Sequence, residues 1–178
     1  IGFSADSASL FFTAAGALSR IGWKTSQVEL LKRCEDGVRR VQSVGSGDAS
    51  AGSASVALVL QCQGSPPVVH WIAQDQGTSA LSPLPAEVFG ARPGWLAASI
   101  ANELKLYEVA TGKERGKIEL PAPPAQLTFV EGRIVISYPS GELVELPLAK
   151  GVLGKPRKLS RRHRERLARV VPIAGGAM

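Results

Sequence analysis

Long apolar runs are missing from these 178 residues, and so are most of the groups that do chemistry. No apolar stretch reaches the roughly 18 to 20 residues that a membrane-spanning helix needs. Residues 1–12 lack the basic n-region of a cleavable signal. Position 1 is Ile rather than Met, so the expectation is a fragment or a processed product. Histidine is limited to His70 and His163, and cysteine to Cys34 and Cys62. No HExxH or CxxC motif occurs, and two scattered pairs of this kind make no readable metal site. No Ser–His–Asp or Cys–His arrangement stands at a readable spacing. The expectation is a chain that is not an enzyme, with no catalytic residue, no metal ligand and no cofactor.

Two thiols are also too few for a disulfide framework. Small buried hydrophobes are the favoured reading of Cys34 and Cys62. A bridge between them is the alternative, and spacing does not decide it. On the favoured reading the compartment is reducing, so an intracellular, cytoplasmic location is expected.

The composition present is that of a turn-rich globular chain. Hydrophobic residues make up 44%, charged residues 20%, and there are 19 Gly and 12 Pro. The formal net charge of +6 is not spread evenly. The stretch "KPRKLSRRHRERLAR", Lys155 to Arg169, holds eight Lys/Arg against one Glu, and the remainder is close to neutral. Electrostatic attraction to a partner is therefore a property of the C-terminal end.

Four segments share one pattern: an apolar strand, a short turn, then a strand that alternates apolar and polar. They begin at Ser9, Ser55, Gly94 and Gly132. Period-2 alternation marks a strand. The turns carry Gly16, Gly64-Ser65-Pro66-Pro67, Asn102 and Ser140-Gly141, which suit hairpins. With Leu18, Val68, Leu104 and Leu143 taken as equivalent, the spacings are 50, 36 and 39 residues. Flanking each hairpin are further short strands. Those before are "IGF", "VRRVQSV", "AEVFGA" and "AQLTFVEG". Those after are "VELLKRC", "TSALSPLP", "RGKIELP" and "GKPRKLS". Four strands per unit and a period near 40 predict an all-β fold, a β-propeller of about four four-stranded antiparallel blades. A β-sandwich is the rival for short strands at this spacing, and the period favours the propeller. The blades are expected at about 1–34, 38–85, 86–121 and 125–159, followed by a basic tail, 160–178.

"IGFSADSASLFFTAAGALSRIGW" resembles the strand and turn pattern of WD-repeat β-propellers. Phe3, Ser4, Ala5, Asp6 and Ser7 stand where that family has Phe-Ser-Pro-Asp-Gly. Leu104-Lys105-Leu106-Tyr107-Glu108 stands where it has apolar-x-apolar-Trp-Asp, and Thr111-Gly112-Lys113 matches its following turn. The resemblance covers roughly residues 1–150. It departs in having no Trp-Asp dipeptide and no Gly-His pair, so the family's His–Asp network is absent. The resemblance implies a divergent member, the C-terminal part of a larger propeller or one that closes with another chain. Closure matters because a propeller avoids exposed sheet edges. The implied function is a non-catalytic protein-interaction scaffold or regulatory domain of a larger protein or assembly. Its partners would be other subunits or the missing remainder of the propeller.

Individual motifs favour structural readings. His70, in the alternating stretch "PVVHWIA", reads as a structural strand residue. "GSGDASAGS", Gly45 to Ser53, lacks the helix and Lys-Ser/Thr pair of a phosphate loop and reads as a loop between strands. Arg39, Arg40, Arg92 and Arg133 are expected to pair with scattered glutamates. From Ser160 the tail has the signals of a short helix, with Ser160 as N-cap and Pro172 as stop. Leu159, His163, Leu167, Val170 and Val171 form its narrow apolar stripe. The expected partner-binding residues are Arg157, Lys158, Arg161, Arg162, Arg164, Arg166, Leu167 and Arg169. Docking on protein, a solvated tail, and binding of nucleic acid or an anionic surface compete there. The functional alternatives are a nucleic-acid-associated protein that holds phosphate through this tail, and part of an enzyme whose catalytic groups lie outside the chain.

Overall fold

The computed structural model describes residues 2–3, 9–22, 24–44, 57–73 and 82–160. They form strands only, arranged as four antiparallel sheets. In the first, β1 (Gly2–Phe3), β2 (Ser9–Ala14), β3 (Ala17–Gly22) and β4 (Val28–Arg33) pair in chain order. In the second, β5 (Val38–Val44), β6 (Ala57–Cys62), β7 (Val68–Ala73) and β8 (Leu84–Pro85) do the same. The third runs through β9 (Val88–Arg92), β10 (Trp95–Ile100), β11 (Glu103–Glu108) and β12 (Lys113–Glu119). The fourth holds β13 (Gln126–Val130), β14 (Arg133–Ser137), β15 (Leu143–Ala149), β16 (Val152–Leu153) and β17 (Arg157–Ser160). Leu18, Val68, Leu104 and Leu143 each lie in the third strand of their sheet.

Local chemistry explains the hairpins. Ala14 pairs with Ala17, leaving Ala15 and Gly16 as a two-residue loop. Both have positive φ, 46° and 74°. That is the primed turn whose twist matches the flanking strands. In the fourth sheet, β16 and β17 share one edge of β15. Leu148 pairs with Leu153 at one end, and Glu145 pairs with Arg157 at the other. The closing strand expected in "GKPRKLS" is β17, and the short β16 precedes it.

The chain divides into two compact units, the first holding sheets one and two and the second holding sheets three and four. In the first unit, Phe11, Leu18, Cys34, Leu58, Leu60, Cys62 and Ile72 form a buried cluster between the sheets, with Leu31 and Val38 against it. Buried Gln61 donates from Nε2 to the Ala86 carbonyl at 2.7 Å, which satisfies part of the amide. The second unit has its own buried cluster. It includes Leu104, Leu106, Leu127, Ile134, Ile136, Tyr138 and Leu146.

The expectation of unpaired thiols does not hold. Cys34 and Cys62 are joined by a disulfide, with Cα atoms 5.4 Å apart and a sequence separation of 28. Spacing could not show this, because the pairing depends on how two sheets pack. The intracellular location inferred from free thiols loses that premise. Among the described residues, no helix is long and apolar enough to cross a membrane.

Candidate interaction surface on the first sheet

The register of the first sheet sorts its side chains onto two faces. Leu10 pairs with Ile21, and Ile21 with Val28. Phe12 pairs with Ser19, and Ser19 with Leu30. Paired residues in a ladder point to the same face. The other face carries Phe11 and Leu18, which lie in the core shared with the second sheet. A register shift between Leu18 and Ser19 leaves Leu31 as the extra residue of β4, and Leu31 turns to that core.

Leu10, Phe12, Ile21, Val28 and Leu30 therefore share the face that the second sheet does not cover. Val28 is 61% exposed and Leu30 54%, while Leu10, Phe12 and Ile21 are half-buried. An apolar row exposed on a β-sheet is a candidate contact surface. One signal for it was present in the sequence. "VELLKRC" has apolar residues at both odd and even positions, so a strand there must be apolar on both faces.

At one end of the sheet, the turn from β3 to β4 frames a recess of about 570 Å³ lined by Arg20, Gly22, Thr25, Gln27, Val28 and Glu29. Ser26 N–H donates to the Gly22 carbonyl at 2.9 Å, which holds the turn. Across it, Arg20 donates to Glu29 Oε2 from Nη2 at 2.5 Å and from Nε at 3.1 Å. By the register, this pair lies on the same face as Phe11.

The residues singled out from sequence are dispersed. His70 lies in β7 opposite Leu60, on the face of the second sheet that meets the first. Burial lowers its pKa below the ordinary histidine value, and the nearby Lys32 cation lowers it further. Arg133 pairs with Glu145 at 2.8 Å, and Arg40 donates to Gln42 Oε1 at 3.4 Å. Arg157 and Lys158 belong to β17, and Lys158 Nζ lies 2.9 Å from Glu142 Oε1. Leu159 is also in this strand, so it does not belong to a helical stripe. Arg161, Arg162, Arg164, Arg166, Leu167 and Arg169 lie outside the described residues, as do His163 and the Gly45–Ser53 loop. Among the described residues, no group of three or more His, Cys, Asp or Glu could hold a metal ion.

No family model and no curated protein matches the chain. Solved structures do. Sqt1 of Saccharomyces cerevisiae is similar with a TM-score of 0.55 and 14% identity, over 79% of this chain and 41% of that one. A chain of a nidogen/laminin complex is similar with a TM-score of 0.53 and 12% identity, over 86% of this chain and 60% of that one. Both neighbours are propellers. The fold is that of β-propeller blades. At these identities the likeness establishes the fold alone. The chain spans less than two thirds of either neighbour's length.

Proposed function

We propose that this chain is part of a larger, divergent WD-repeat-like propeller and serves as a non-catalytic protein-interaction scaffold or regulatory domain of a larger protein or assembly. Its blades would be residues 1–34, 38–85, 86–121 and 125–159. The observation that carries this reading is the uncovered face of the first sheet. Its residues, Leu10, Phe12, Ile21, Val28 and Leu30, have the same chemistry as the faces that pack sheet on sheet elsewhere in the chain. A face of that composition fits another blade. The partial coverage of both structural neighbours points the same way. The basic residues from Arg157 to Arg169 are proposed as a second contact with a protein partner.

Light scattering on the isolated chain tests the open face. The expected result is concentration-dependent association that Val28→Glu with Leu30→Glu abolishes, with the β-type circular dichroism retained. A monomer at every concentration, with no binding of an apolar dye and no response to the substitutions, would sink the reading.

A further inference from the structure

The Cys34–Cys62 bond joins the two sheets of the first unit. Cys34 follows β4, the outermost strand of the first sheet, and Cys62 ends β6 in the second. Only residues 35–37 separate β4 and Cys34 from β5, so the sheets are already neighbours in sequence. The bond adds a second link between the same two sheets. Cys34 N–H also donates to the Gly16 carbonyl at 2.8 Å, which anchors it to the β2–β3 turn.

Both sulfur residues are buried, at 4% and 7% exposure, among Phe11, Leu18, Leu58, Leu60 and Ile72. Among the described residues this core has seven buried members, two of which are the bonded cysteines. The bonded pair is thus itself part of the apolar packing between the first two sheets. Its burial also screens it from attack by an external thiolate, which must reach a sulfur atom in line. No thiol remains elsewhere in the chain to exchange with it.

We infer that Cys34–Cys62 is a permanent staple between the first two sheets, and that the chain folds and meets its partner in an oxidising compartment. Structural disulfides form and persist there and are rare where glutathione and thioredoxin keep thiols reduced. Forming the bond removes two protons and two electrons from two thiols. A protein or small-molecule disulfide of that compartment takes them and leaves as two thiols. This inference is independent of which body covers the open face, since the bond lies on the other side of the sheet.

The test is made on the full chain, produced once by export into an oxidising compartment and once in a reducing cytosol. Thiols are trapped by alkylation and counted by mass, and thermal unfolding is followed with and without reductant. The expected exported protein takes up no alkyl group until it is unfolded and reduced, and then two. Reductant should lower its Tm by roughly 10 °C, judged from the loop that the bond closes and the size of the chain. The cytosolic protein should match the reduced one. Cys34→Ala with Cys62→Ala is the control, with a Tm that does not respond to reductant. If that variant does not fold, the wild-type shift and the alkylation count still decide. Two reactive thiols in the exported native protein, or equal Tm values with and without reductant, would overturn the inference.

Discussion

A Cβ atom built on Gly90 would stand 2.6 Å from the carbonyl oxygen of Leu127. Gly90 lies in β9 and Leu127 in β13, the first strands of adjacent sheets in the second unit. The atom approached is backbone, so it has no rotamer to escape into. Gly90→Ala is expected to destabilise the chain by about 1–3 kcal/mol through overpacking. Urea unfolding would show this as a lower midpoint with an unchanged slope. An unchanged midpoint would mean that the two strands separate easily.

Tyr138 gives the opposite expectation. Its ring is in the second unit's core, and its buried hydroxyl makes no hydrogen bond to a described residue. A buried hydroxyl without a partner costs free energy, so deleting it removes a penalty. Tyr138→Phe should leave stability unchanged or raise it by up to about 1 kcal/mol. A loss larger than that in the same unfolding measurement would reveal a partner for the hydroxyl.

His70 should make the first unit sensitive to acid. Its folded pKa lies below the ordinary value of 6.5, first through burial and then through Lys32. The unfolded chain therefore takes up a proton before the folded one does as pH falls. Stability from this group is present above pH 6.5 and is lost on acidification below it. His70→Gln should flatten the fall in the urea midpoint between pH 7.5 and about pH 5. Parallel profiles for wild type and variant would assign the acid sensitivity to other groups.

The Arg133–Glu145 pair joins an exposed guanidinium to a carboxylate that is 14% exposed. It links β14 to β15 on the diagonal, two residues off the direct register, since Arg133 stands opposite Pro147. A double-mutant cycle with Arg133→Ala and Glu145→Ala should give a coupling of about 0.2–1 kcal/mol, falling with salt. A coupling near zero would make the pair incidental.

Changing Arg161, Arg162 and Arg164 together to Glu breaks up a dense run of like charge. The expected outcome is a Tm within a degree or two of wild type and a weaker complex with the partner protein. If the tail instead binds phosphate, retention on an immobilised DNA column should disappear between roughly 50 and 200 mM salt. An unaffected complex would remove the tail from the contact.

Strand patterns were legible because their cause is local. Alternation in "ELKLYE" follows from the pleat, with Leu104 and Leu106 buried and their neighbours half-buried. The Ala15–Gly16 loop follows from the backbone that a two-residue hairpin requires. The candidate surface was only half legible. That β4 is apolar on both sides can be read from Val28, Leu30 and Leu31. Which side is covered cannot, since that depends on the Leu18–Ser19 register shift and on the second sheet.

The sequence by itself determined four antiparallel sheets, their hairpins and the concentration of positive charge at the C-terminal end. Each follows from spacing along the chain: period-2 alternation, turn residues and the run of arginines. Only the tertiary structure decided that Cys34 bonds to Cys62, that His70 lies near Lys32, that Gly90 has no room for a side chain, and that Val28 and Leu30 stand open. These are relations between residues brought together by sheet packing, and packing depends on the fit of whole faces, which local spacing does not encode.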